Sequence, residues 1–143
     1  MAQIKLTSLI SKIENSLDEV KNQFLVNMAK DIVNTSIPTI DTGAYITSHS
    51  IRTTRGAGRS RSSHNKPKLQ DLSAKAAKAT EALGQLVEDI SSLSEDQTQV
   101  FLTNNSPHAN IVEYVHGYAV YESVRNRANI HLQDAINTVK ARQ

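Results

Sequence analysis

Eight apolar residues, Leu6, Ile10, Ile13, Leu17, Val20, Phe24, Met28 and Ile32, recur at steps of three or four near the start of the chain. On a period of 3.6 they share one face, while Lys12, Glu14, Asp18, Lys21 and Asn22 fall elsewhere. The spacing predicts one long helix from about Ile4 to Ile32, closed by Pro38 and by the turn-forming Asp41-Thr42-Gly43. A helix of that length with one apolar face has to be covered, and the covering elements must come from the rest of the chain or from another molecule.

Two further stripes are present. Between Lys68 and Leu93, Leu69, Leu72, Ala76, Ala79, Leu83, Leu86, Ile90 and Leu93 alternate by three and four. That pattern suits a core-facing helix or a coiled-coil seam, and in a chain of 143 residues core packing is expected, with part of the stripe left for a subunit interface. From about Glu122, the residues Val124, Ala128, Leu132, Ala135, Ile136 and Val139 predict a last helix, with Lys140 and Arg142 where cations complement its C-terminus. Gln99 to Thr103 is the clearest strand, and Ala44 to Thr54 fits a short helix or a strand equally. Ser106-Pro107 has the form of a cap and first turn, opening a short helix that Gly117 ends, and Tyr118 to Tyr121 fits a strand or a loop. The expected fold is α+β in a single domain over residues 1–143: a long N-terminal helix and a small antiparallel sheet packed against two or more further helices.

Composition limits how well these faces can be covered. Leu, Ile, Val and Phe number 35 of 143, little above the roughly 20% below which chains stay disordered. There is no Trp and no Cys, so neither large aromatic anchors nor disulfides supplement the aliphatic core. Such a domain is expected to complete its core against copies of itself. The absence of Cys removes thiol nucleophiles, thiolate zinc sites and iron–sulfur clusters. No stretch approaches the ~18 apolar residues of a membrane span, and Lys5, Lys12 and Glu14 interrupt any signal-like run, so use without membrane or secretion is expected.

A net charge of +2 hides a segregation. Residues 42–70 carry Arg52, Arg55, Arg59, Arg61, Lys66 and Lys68 and no acid, whereas residues 71–97 carry Asp71, Glu81, Glu88, Asp89, Glu95 and Asp96 against Lys75 and Lys78. The opposed blocks suggest a polar contact between neighbouring subunits, or a basic loop offered to a phosphate backbone. Within the first block, residues 55–67 hold no apolar residue larger than Ala57 and are expected to form a flexible loop. Arg55, Arg59, Arg61, Lys66 and Lys68 are its candidate partner contacts.

Motifs for chemistry fail on context. Asp41-Thr42-Gly43-Ala44 matches an aspartic-protease signature, but those enzymes are almost wholly β, and long helical stripes flank the motif here. His108, Glu113 and His116 do not have common zinc-ligand spacing. Gly56-Ala57-Gly58 lacks a third glycine and a preceding apolar strand, and the basic loop lacks interleaved aromatics for stacking single strands. No catalytic residue, metal or cofactor is expected.

One ordered set of motifs resembles a family. The long N-terminal helix is followed by Asp41-Thr42-Gly43 with Ser50-Ile51, then a strand ending in Asn104-Asn105, then Ser106-Pro107-His108-Ala109 and Ile111-Val112-Glu113-Tyr114. This order is similar to the small tail-completion and neck proteins of tailed bacteriophages, although His108 stands where those proteins often have Tyr and Gly117 comes later than their glycine. The resemblance implies a structural role for Asp41, Gly43, Pro107, Ala109, Glu113 and Tyr114, positioning loops around the strand. It also implies a virion protein of the neck or tail, made in the host cytoplasm and acting as a cyclic homo-oligomer, a hexamer being favoured. Its partners would be other neck, connector or tail-tube proteins, with a passing contact to DNA in the channel. A small basic-loop nucleic-acid-binding protein is the alternative.

Overall fold

In a computed structural model the chain is described over residues 6–40, 43–59, 68–69, 71–94, 99–106, 109, 112–113 and 117–142, with side chains from Leu17 onward. Helix α1 spans Leu6–Ser36, strand β1 His49–Arg52, helix α2 Leu72–Ser91, strand β2 Phe101–Asn104, helix α3 Val120–Asn126 and helix α4 Ala128–Ala141. The fold is α+β, with a long N-terminal helix and a two-stranded antiparallel sheet packed against helices.

The apolar stripe makes α1 31 residues long, about 46 Å at 1.5 Å per residue. It gives way to a 3-10 turn, Ile37–Thr39, that contains Pro38. The chain then turns at Gly43, whose φ of +86° is one that a side chain disfavours, and where a Cβ would lie 2.9 Å from the Lys78 side chain on α2. The segment of ambiguous pattern resolves into both alternatives in succession, a 3-10 turn Ile46–Ser48 and then β1. The register of the sheet pairs His49 with Asn104 and Arg52 with Phe101.

Helix α2 begins at Leu72, later than the stripe suggests, because the Asp71 carboxylate accepts the Ala74 N–H at 2.8 Å and caps the helix there. Leu72 is consequently 85% exposed, and the buried face runs through Ala82, Leu86, Asp89 and Ile90. The expected last helix is two. Helix α3 starts at Val120, after a left-handed Ala119, and the chain breaks at Arg127 before α4 begins. The core lies where the C-terminal half of α1 meets α2, the sheet and α3, around Ala29, Ile32, Ile46, Ile51, Leu86, Val120 and Val124. Among the described residues no helix is long and apolar enough to cross a membrane.

Candidate functional site

Three polar clusters are built into this frame. The first closes the outer edge of β1. The Ile51 N–H donates to Asp89 Oδ2 at 3.0 Å, and the His49 carbonyl accepts from Arg59 Nη1 at 2.6 Å. Arg59 grips the Asp89 carboxylate with both terminal nitrogens, at 2.6 and 3.0 Å, and Arg52 Nη1 adds a contact at 2.7 Å. Asp89 and Arg59 thus occupy the hydrogen-bonding positions that a third strand would take, and the edge is closed to further pairing. Burial pushes the Asp89 carboxyl upward, but the hydrogen bonds of Arg59, Ile51 and Arg52 outweigh it and hold it below the usual carboxylate range. Gly58 permits the approach: a Cβ there would stand 2.9 Å from the Ser50 Cβ, and the Arg59 N–H donates to Ser50 Oγ at 2.8 Å.

The second cluster is centred on His49, which is 1% exposed. Ser36 Oγ donates its only proton to the Ile32 carbonyl at 2.6 Å, so at 2.8 Å it must accept from His49 Nε2. That assigns the proton to Nε2 and leaves Nδ1 to accept from Tyr121 Oη at 2.8 Å and from Asn104 Nδ2 at 3.1 Å. Asn104 also donates to the Tyr45 carbonyl at 2.8 Å and accepts the Ser106 N–H at 2.9 Å. Burial pushes His49 down to about 3, so the ring is neutral. Ser36 beside His49 has the composition of a nucleophile and base, yet Ser36 is fully buried and its proton is committed, so no substrate reaches it.

The third cluster ties α1 to the break between α3 and α4. Asp31 accepts from Arg127 Nε and Nη2 at 2.9 and 2.8 Å and from Thr35 Oγ1 at 2.8 Å, and it lies 2.5 Å from His131 Nε2. Burial raises the Asp31 carboxyl, and the hydrogen bonds of Arg127, His131 and Thr35 reverse that, bringing it to about 2.

The residues expected from the sequence separate into distinct places. Glu113 Oε1 accepts the N–H groups of Tyr121 and Glu122 at 2.7 and 3.1 Å, capping α3 from eight residues upstream, and among the described residues its Oε2 and the Tyr45 hydroxyl are buried without a hydrogen-bond partner. Gly43 makes the turn into the sheet, and Ala109 packs against the core. Arg59 is drawn onto Asp89 of its own chain, so the opposed charge blocks meet within one molecule, whereas Arg55 and Lys68 are exposed. Asp41, Arg61, Lys66, Pro107, His108, Tyr114 and His116 lie outside the described residues, and with them the zinc and protease alternatives. Among the described residues no group of three His, Cys, Asp or Glu side chains is placed to hold a metal ion. The sequence pattern does not single out His49, Asp31 or Arg127; for Asp89 the available signal was a carboxylate next to Ile90 and three residues after Leu86, inside an apolar stripe. No known protein family, curated protein or solved structure matches this chain.

Proposed function

We propose that the chain is a structural virion protein of the phage neck or tail top, a subunit of a ring that completes the tail tube or joins tail to head, and that it carries out no chemistry. One observation supports this reading above the others: the segments that carry the family resemblance act together. Tyr45 and His49, from the segment after Gly43, are bonded to Asn104 at the end of β2, and Glu113 caps the helix whose Tyr121 reaches the same His49.

A ring requires a head-to-tail contact that closes after a fixed number of copies, and six is the favoured number. The thin aliphatic supply of the chain suits a subunit finished by its neighbours. Two of the six cations of residues 42–70, Arg52 and Arg59, are held by Asp89, which disfavours the alternative of a basic loop gripping DNA. The test is detection of the protein in purified tailed particles by mass spectrometry, with electron microscopy of the neck. Copies forming a ring there are the expected result, and absence of the chain from intact particles overturns the reading.

A further inference from the structure

The sheet has two edges, and the fold treats them differently. Because the Ile51 N–H and the His49 carbonyl point outward to Asp89 and Arg59, the alternation of an antiparallel pair turns the backbone groups of Ser50 and Arg52 toward β2, where they meet Thr103 and Phe101. Leu102 then presents its N–H and C=O to the outer edge of β2, and among the described residues neither has a hydrogen-bond partner. Leu102 and its cross-strand partner Ile51 share one face of the sheet, yet Ile51 is 2% exposed and Leu102 is only half-buried, so the opening lies on the outer side of β2.

That edge borders a groove of about 530 Å³ between β2, α1 and α3, a volume within the roughly 300–1,000 Å³ of ligand sites. Met28, Leu102 and Val124 supply its apolar wall, and Glu113, Glu122 and Arg125 its charge. Two carboxylates against one guanidinium leave the groove acidic. One oxygen of Glu113 is committed to capping α3, and the other has no donor among the described residues, so an entering cation meets a carboxylate that still has a free acceptor. Helix α3 stands on the far side of the groove from β2, so the space between them admits one extended segment and not the edge of a second folded copy.

We infer that the outer edge of β2 docks an extended segment of another protein, which adds as a third strand and carries a Lys or Arg two positions from an aliphatic residue, both facing the groove. The backbone of that segment pairs with Leu102, while its alternate side chains enter the groove, the aliphatic one on Met28 and Val124 and the basic one toward Glu113 and Glu122. The docking does not rest on the neck reading, and either can fail while the other stands.

The test is a nuclear magnetic resonance titration of the full isotope-labelled chain with the peptide acetyl-Thr-Val-Thr-Lys-Thr-Val-amide, whose Val and Lys side chains share one face of a strand. Peptide is added to about 5 mM, enough to reveal a Kd near 1 mM. The expected result is a saturable shift of the Leu102 and Arg125 amides together, with slower exchange of the Leu102 N–H. The same peptide N-methylated at Val and Lys, whose amides face Leu102, and a version with Glu in place of Lys are each expected to bind at least several-fold more weakly. Glu122→Lys, checked for an unchanged fold by its melting temperature, is expected to weaken binding of the parent peptide to a similar degree. No saturable shift at Leu102, shifts centred instead on Arg52 and Thr53 at the opposite edge, or equal binding of the N-methylated peptide overturns the inference. Protection of the Leu102 N–H that rises with protein concentration alone would give the edge to a second copy, and that also overturns it.

Discussion

Leu17 and Ile32 belong to the same repeat on α1 and meet opposite fates. At the C-terminal end the stripe is buried by α2, the sheet and α3, and the polar groups beside it are locked by Asp31, His49 and Asp89. Further toward the N-terminus Leu17 is 63% exposed on the same helical face. An apolar stripe therefore specifies that a helix will be covered and is silent about what covers it. The polar clusters make the difference, because each ties α1 or the sheet to an element far away in sequence.

The contrast breaks most visibly at Asp89. Asp89→Ala leaves Arg52 and Arg59 without their counter-charge and the Ile51 N–H without an acceptor, so a loss of about 3–5 kcal/mol is expected in urea unfolding. An Asp89→Ala protein within 1 kcal/mol of the parent would show that the edge clamp is decorative. Ile32→Ala, which removes a fully buried side chain from the packed end, is expected to cost about 2–5 kcal/mol by the same measurement.

Acid sharpens the comparison next. His49 is held at about 3 in the fold against 6.5 in an open chain, so below pH 6.5 the unfolded state binds the extra proton. Stability is then full above pH 6.5 and falls as pH drops from there toward 3, by up to ~1.4 kcal/mol per pH unit. Melting temperature measured from pH 7.5 to 4.5 should show that slope, and a flat profile would mean that His49 is not buried as a neutral ring. Asp31 acts in a lower window: its folded value of about 2 lies below the 3.8 of an open chain, so its contribution is present above pH 4 and is lost between pH 4 and 2. That contribution amounts to roughly 2 kcal/mol, which Asp31→Asn should remove together with the acid transition.

The smallest effect is expected at Leu17. Leu17→Ala in dilute solution should change unfolding stability by less than about 0.5 kcal/mol, against the several kcal/mol of Ile32→Ala on the same face of the same helix. A loss comparable to that of Ile32→Ala would erase the distinction between the two positions.

The long helix was legible because its period of three and four repeats for seven turns, and repetition is a signal that a single sequence carries. The α+β class was legible for the same reason, with β2 starting two residues after and ending one residue after the strand expected at Gln99 to Thr103. Other features were not. Nothing local breaks the last helix: no Gly or Pro stands near Arg127, and the break coincides with a guanidinium that reaches Asp31, 96 residues earlier. Asp89 reads as a solvated charge until Arg59 and Arg52 are brought to it. Arg59 itself reads as part of a loop with nothing to bury, since only the fold reveals the unpaired strand edge that it covers.

The sequence by itself determined the periodicities: which residues share a helical face, where one helix is long, and that polar and apolar groups are sorted on each. Those follow from backbone geometry, which is local and the same in every protein. The tertiary structure alone decided which face is covered, which charges are paired and which imidazole is dry. Those depend on groups distant along the chain meeting where water is excluded, and there a single missing partner costs more than any local preference can offset.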